Sequence, residues 1–130
     1  MSAAELQSAL GQIVAPVDEE ESDCFYVVDA NRKGLSYMIT LRGLARVDVD
    51  GPGIETVRGA AVGVSVERIR LLYGTALEEQ PHFYGGAPNL YLTYWSRDRR
   101  YAVRFETADG KVARYYAGGT PEVEFVEGCL

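Results

Sequence analysis

The chain has 130 residues, of which 47% are hydrophobic and 25% are charged. Such a length and composition are typical of one ordinary globular domain with its own hydrophobic core. The formal net charge of -6 argues against a nucleic-acid-binding protein, which needs a concentrated basic face. Charged or polar residues interrupt every apolar stretch, so we expect no membrane span.

The first predicted element is a helix that begins at Ser2. Ser2 and Glu5 have the spacing of a capping box. Apolar residues then recur on one helical face, at Leu6, Leu10 and Ile13. The acidic run at residues 18–23 that follows predicts a solvated loop, because its consecutive acids lack the alternating ligand positions of a calcium loop.

Three strands are predicted next, over residues 24–30, 35–41 and 44–50. These stretches are rich in β-branched and aromatic residues and are separated by turn-forming sequences. In the third stretch, alternation predicts that the inward-facing residues are Ala45, Val47 and Val49.

The second predicted helix has clearer boundaries. Ser65 can cap its start, Glu67 lies in the first turn, and Gly74 supplies the stop. Its apolar face packs on a sheet in this interpretation and comprises Val66, Ile69, Leu72 and Tyr73.

Three more strands are predicted over residues 89–95, 101–106 and 111–117, joined by short turns. Short connections of this kind predict an antiparallel meander. The ending "TPEVEFVEGCL" is interpreted as a final edge strand, with Val123 and Phe125 inward and the glutamates outward.

The predicted fold is therefore a single α+β domain over residues 1–130, with two helices packed on one face of an antiparallel sheet. The two halves are also similar, since each contains an Ala-Arg pair in a strand after a tight turn, at residues 45–46 and 113–114. This pattern suggests a tandem pseudo-repeat with units 1–57 and 58–130.

The cysteines are Cys24 and Cys129, which allow one internal disulfide. On the chain-entropy model, closing a loop of this length contributes about 4–5 kcal/mol. The alternative is two buried thiols in a cytosolic protein. We favour the disulfide because core packing does not explain a cysteine so near the end, and a disulfide implies the periplasm or the cell exterior. The first residues lack the features of a signal peptide, so we expect that one has been removed and that Met1 replaces it.

The chain offers little for catalysis. His82 is the only histidine, which leaves a zinc site short of ligands, and no phosphate-binding glycine motif is present. We predict no catalytic residue, no cofactor and no metal. A hydrolase that uses His82 with neighbouring carboxylates remains a minority hypothesis.

Aromatic residues of the strand at 89–95 suggest a binding surface. Its alternation places Leu90, Leu92 and Tyr94 on one face and Tyr91, Thr93 and Trp95 on the other. If the leucine face meets the helices, the opposite face points outward, beside Arg104 and Glu106 of the next strand. Such a face is typical of a protein-interaction surface or a sugar-stacking platform. The alternative is that the chain's own loops cover it.

Residues 58–129 carry a resemblance. The stretches "RGAAVGVSVERIRLLYG" and "YAVRFETADGKVARYYAGGTPEVEFVEGC" resemble a group of small bacterial extracytoplasmic proteins, which share the helix start, the "YG" stop, the "FET-DG" hairpin and a closing "PEVE[YF]VEGC". Val64 departs from that pattern, in which an acid commonly precedes the capping serine. Similar helix-plus-meander units occur in the β-lactamase-inhibitor-protein and outer-membrane assembly lipoprotein folds, which are non-enzymatic binders. The resemblance implies export and supports the Cys24–Cys129 disulfide.

The predicted function is that of a non-catalytic, periplasmic or secreted protein that binds another protein. An inhibitor or immunity-type protein that acts on an envelope hydrolase or toxin is the preferred form, because acidic binders commonly approach basic targets. The alternative is a carbohydrate- or peptidoglycan-binding module that uses the same tyrosine and tryptophan residues.

Overall fold

The computed structural model of the protein describes residues 2–10 and 23–129. These residues form two helices and a seven-stranded sheet. The helices are α1 (Ala3–Leu10) and α2 (Val66–Tyr73). The strands are β1 (Cys24–Val28), β2 (Leu35–Thr40), β3 (Gly43–Val49), β4 (Glu78–Pro81), β5 (Leu90–Trp95), β6 (Tyr101–Ala108) and β7 (Lys111–Gly119). Single 3-10 turns cover Gly74–Ala76 and Glu122–Glu124.

The sheet joins two meanders edge to edge. Its strand order is β1-β2-β3-β7-β6-β5-β4, and every neighbouring pair is antiparallel. At the central β3–β7 pair, Gly118 lies opposite Arg46, and a Cβ at Gly118 would collide with the carbonyl oxygen of Ala45. The α+β meander predicted from the sequence is confirmed. The short strand β4 was missed, because its residues are all exposed and give no alternating pattern.

Helix α2 begins and ends where the sequence predicts. The Ser65 hydroxyl accepts a hydrogen bond from the Arg68 N–H at 3.1 Å, and Gly74 adopts a φ of 69°, which favours glycine. Val66, Ile69 and Tyr73 are buried. They pack against residues of four strands, namely Val49, Leu92, Phe105, Val112 and Tyr115.

Helix α1 covers the neighbouring part of the same sheet face. The predicted capping box is formed, with the Glu5 N–H donating to Ser2 Oγ at 3.1 Å and the Ser2 N–H donating to Glu5 Oε1 at 3.2 Å. Leu6 is 3% exposed and packs on Val27, Tyr37 and Ile39. Leu35 contacts the clusters under both helices, which places both on one face.

Some predictions for the first part of the chain concern residues outside the described ranges. The side chain of Leu10, the whole of Ile13 and the acidic run except Asp23 lie outside the described residues.

The opposite face of the sheet is covered by the chain's last described residues, 120–129, which we call the C-terminal segment. Val123 is fully buried beside Ala102 and Tyr116. Val123 points inward and Glu124 outward, as predicted. The predicted final edge strand is nevertheless wrong: Glu122, expected outward, is buried, and Phe125, expected inward, is 39% exposed. The reason is that β7 lies between β3 and β6, so neither of its edges is free to pair with another strand.

A disulfide fixes the end of the C-terminal segment to the start of β1. Cys24 and Cys129 are bonded, with their Cα atoms 5.4 Å apart, as predicted. Gly128 precedes the bridge with a φ of 61°, and a Cβ there would lie 2.6 Å from the Tyr26 hydroxyl. This position therefore requires glycine for its conformation and for the close approach to Tyr26.

We expect the double variant Cys24→Ser/Cys129→Ser to lose about 4–5 kcal/mol of unfolding free energy, because the bridge closes a loop across 105 positions of the unfolded chain. Urea unfolding, followed by Trp95 fluorescence, measures the difference between the variant and the oxidised native chain. The reduced native chain, which also lacks the bridge, is the control. Equal unfolding midpoints for the oxidised native chain and the variant would contradict the prediction.

Candidate functional site

Arg46 is the most enclosed charged residue of the face under the C-terminal segment. It is 2% exposed, and its Nε and Nη2 donate to the two carboxylate oxygens of Asp48 at 2.7 Å each. Burial lowers the pKa of Arg46, but the hydrogen bonds and attraction to Asp48 outweigh that effect and raise the pKa overall. The buried guanidinium therefore stays charged.

The same guanidinium holds the C-terminal segment in place. Arg46 Nη1 donates to the backbone carbonyls of Glu122 and Phe125, at 3.0 Å each. The guanidinium carbon of Arg46 lies 3.8 Å from the centre of the Tyr116 ring, which is a cation–π contact. On the surface, Arg42 donates to the Glu122 carboxylate at 2.6 Å. The segment thus lies across the sheet without joining the strand ladder.

A chain of polar contacts runs from this pair across the sheet. Asp48 Oδ2 also accepts from the Tyr26 hydroxyl at 3.2 Å and from Arg114 Nη2 at 3.3 Å. Arg114 Nε lies 3.8 Å from Glu106 Oε2, and Glu106 Oε1 lies 2.9 Å from His82 Nε2. The network connects β1 with the loop that follows β4.

His82 fixes this loop, residues 82–89, which we call the His82 loop. Its Nδ1 accepts hydrogen bonds from the N–H groups of Tyr84 and Gly85, at 3.3 Å and 3.1 Å. Because Nδ1 accepts these hydrogen bonds, it is the unprotonated nitrogen of the His82 ring. The ring proton therefore lies on Nε2, which donates it to Glu106. Both ring nitrogens of His82 are thus engaged in hydrogen bonds with groups of the chain itself.

The predicted partner-binding surface is not exposed. Tyr91, Thr93 and Arg104 are only 4%, 3% and 4% exposed. The His82 ring stacks on Tyr91 with centroids 4.6 Å apart, and Arg104 Nε donates to Thr93 at 3.0 Å. Glu106 is 12% exposed and is bound by the network described above.

Trp95 is the last residue of the predicted partner-binding surface. It is half-buried against the cluster of Ala102, Tyr116 and Val123, and the Arg99 guanidinium lies 4.7 Å from its ring centre. The leucine face of β5 packs beneath α2, which is the condition under which the opposite face was expected to point outward. The prediction of an exposed Tyr-Trp-Arg face is wrong, because the His82 loop and the C-terminal segment cover it.

The same two covering segments form a groove between them. It has a volume of about 470 Å³, and we call it the aromatic groove; its lining residues are Phe83, Tyr84, Glu124, Phe125, Val126, Glu127 and Gly128. Phe83 and Tyr84 are 67% and 63% exposed and meet edge to face, with centroids 4.9 Å apart. Phe125, on the other wall, is 39% exposed.

Two carboxylates accompany these rings. The Glu124 side chain is 51% exposed, and its contact with a cation is a long one, 3.7 Å to Arg104 Nη2. Glu127 is exposed and forms no ion pair or hydrogen bond with the rest of the described chain. The aromatic groove therefore combines exposed rings with carboxylates that lack short partners.

The aromatic groove was missed at the level of sequence, although a signal was present. In "QPHFYGG" two aromatic residues are adjacent, between a proline and a glycine pair. Adjacent rings in such a turn-forming loop favour a position at the surface for at least one of them.

A second pocket, of about 340 Å³, lies on the other side of residues 126–128. Its walls include Tyr26, Arg46, Glu106 and Arg114. Within residues 2–10 and 23–129, no group of three His, Cys, Asp or Glu side chains is placed to hold a metal ion. In those same ranges no helix has the length and apolar character needed to cross a membrane.

The fold and groove define an α+β protein with helices on one sheet face and a covering segment on the other. Comparisons with known proteins find no matching family model and no matching curated protein. Among solved structures, the chain is similar to YjgB, a DUF4309 family protein from Bacillus subtilis, with a TM-score of 0.55 and 14% identity. The match covers 92% of this chain and 78% of that one. At this identity the similarity is one of fold alone.

We expect Arg46→Met to cost about 3–5 kcal/mol of unfolding free energy, because the buried Asp48 loses its two short hydrogen bonds and the carbonyls of Glu122 and Phe125 lose their donor. The double variant Arg46→Met/Asp48→Leu should recover part of that loss, since no unpaired charge remains. Urea unfolding measures both, with Arg70→Gln as the control, because its pair with Glu79 is exposed to solvent and contributes little to stability. A loss no larger than that of the control would contradict the prediction.

We expect stability to fall as the pH rises from about 10 to about 12. Burial and the neighbouring Asp48 raise the pKa of Tyr26 to about 12, and burial and Asp29 do the same for Tyr37. The folded chain therefore keeps protons that the unfolded chain loses above about pH 10, so this stabilisation is complete below that pH and is lost through pH 12. Urea unfolding across this range should show a shallower loss for Tyr26→Phe than for the native chain. If the unfolding free energy falls equally with pH in both chains, the raised pKa assigned to Tyr26 is contradicted.

Proposed function

We propose that the protein is a non-catalytic, extracytoplasmic protein that binds another protein through the aromatic groove. The preferred form is an inhibitor or immunity-type protein that acts on an envelope hydrolase or toxin. The single observation that carries the proposal is the exposure of Phe83, Tyr84 and Phe125 around one groove of a disulfide-closed scaffold.

Exposed rings of this kind are the usual anchors of protein interfaces. Large aromatic side chains contribute much of the binding energy where they enter a partner, and they are costly to expose otherwise. Both walls of the groove are held from below, by His82 on one side and by Arg46 and the disulfide on the other. Little conformational entropy is then lost when a partner binds.

The extracytoplasmic location is supported by the disulfide, because such bonds persist in oxidising compartments. The resemblance of residues 58–129 to small bacterial exported proteins points in the same direction. A basic partner suits the net charge of -6.

A protein partner is favoured over a carbohydrate by the geometry of the rings. The proposed sugar platform of Tyr91 and Trp95 is covered, as described above. Phe83 and Tyr84 stand at 89° to each other and so do not present one flat stacking surface. Rings at this angle fit the side chains of a protein partner better than the face of a sugar.

Affinity capture from the envelope extract of the source cells, followed by titration calorimetry with the purified captured protein, tests the proposal. The native oxidised chain is compared with Phe83→Ser/Tyr84→Ser and with Leu71→Ser, a matched control because Leu71 is 77% exposed on α2. We expect the groove variant to bind at least about 30-fold more weakly and the control to bind as the native chain does. The captured hydrolase or toxin should also lose activity when the native chain binds.

If the Phe83→Ser/Tyr84→Ser variant captures the same protein as well as the native chain does, the aromatic groove is not the binding site. Binding of peptidoglycan fragments, lost in the same variant and with no protein captured, would replace the proposal with the carbohydrate alternative.

A further inference from the structure

We infer that the aromatic groove accepts a cationic side chain, an arginine or lysine of the partner protein. This inference rests on the proposed function and specifies the chemistry of its binding site. It follows from how charges are paired on this face of the protein and from which rings lack a cation.

The carboxylates near the aromatic groove differ from the others on their face. Asp48 pairs with Arg46 at 2.7 Å, Glu122 with Arg42 at 2.6 Å, and Glu106 with His82 at 2.9 Å. Within the described chain Glu124 forms one ion pair, 3.7 Å from Arg104, and is attracted more weakly by Arg99, whereas Glu127 forms no ion pair. The two groove carboxylates are therefore available to a positive group from outside.

The groove rings are likewise without a cation. Elsewhere in the described chain, guanidinium groups lie over aromatic rings at 3.8–5.4 Å, as Arg46 does over Tyr116. No such contact involves Phe83, Tyr84 or Phe125 within residues 2–10 and 23–129. A cation over an exposed ring is attracted by the negative face of the ring, and more strongly when water is displaced.

Other occupants fit less well. An anionic group would be repelled by Glu124 and Glu127. A purely apolar side chain would remove water from the Glu127 carboxylate without offering a partner, which is costly. An arginine or lysine avoids both penalties, because its methylene stem packs on the rings while its charged end reaches the carboxylates.

The test is a titration of the isotope-labelled, oxidised chain with blocked arginine (N-acetyl-arginine methylamide), monitored by amide NMR shifts. Blocked lysine is expected to behave in the same way, whereas blocked norleucine and blocked glutamate serve as the apolar and anionic controls. We expect shifts confined to residues 83–85 and 124–128 with the cationic probes alone. Glu127→Gln should weaken arginine binding by about three- to fivefold, and Glu67→Gln, an exposed carboxylate on α2, should not change it.

Equal binding of norleucine and arginine, or no shift in the groove at saturating probe, would overturn the inference. A second measurement uses the captured partner, whose binding should be abolished by the charge reversal Glu127→Arg. If that variant and excess blocked arginine both leave capture through the groove unchanged, the inference fails and the proposed function stands. If blocked arginine binds in the groove but no protein is captured through it, the proposed function fails and the chemistry assigned to the groove stands.

Discussion

The guanidinium of Arg46 lies between the sheet and the C-terminal segment and serves both. Toward the sheet it forms two hydrogen bonds with Asp48 and stacks on Tyr116; toward the segment it donates to two backbone carbonyls. The segment pairs with no strand of the sheet, so its polar backbone groups need partners of this kind to be buried. The wall of the aromatic groove, the burial of Val123 and the approach of Cys129 to Cys24 all depend on that arrangement.

Much of the fold could be predicted because its determinants are local. The capping serines at positions 2 and 65, the stop at Gly74 and the alternation of β5 specify their elements within a few residues. The path of the C-terminal segment could not be predicted in this way. Alternating apolar residues after Pro121 resemble a strand, but the pairing of β3 with β7 had already used the edge that such a strand would need. That pairing joins distant parts of the chain and leaves no local signal.

The same limit explains the error about the binding surface. Alternation separates the two faces of β5 correctly, but it does not say whether the second face is covered. In "LARVDVD" the polar residues at positions 46 and 48 read as the solvent side of a strand, yet both are nearly fully buried. Their burial is tolerable because each neutralises the other, and the distances that allow this come from the fold. His82 stood out as a single imidazole, but its role depends on Glu106, 24 positions away.

The two walls of the aromatic groove come from segments about forty positions apart, around Phe83 and Phe125. Neither segment alone, as a short peptide, contains the surface that the folded chain presents. A partner of the proposed kind would recognise a conformation and would distinguish the folded, oxidised protein from a chain that is still unfolded. By binding only the native state, it would also hold the loop and the segment together and add to the stability of the fold that forms its site.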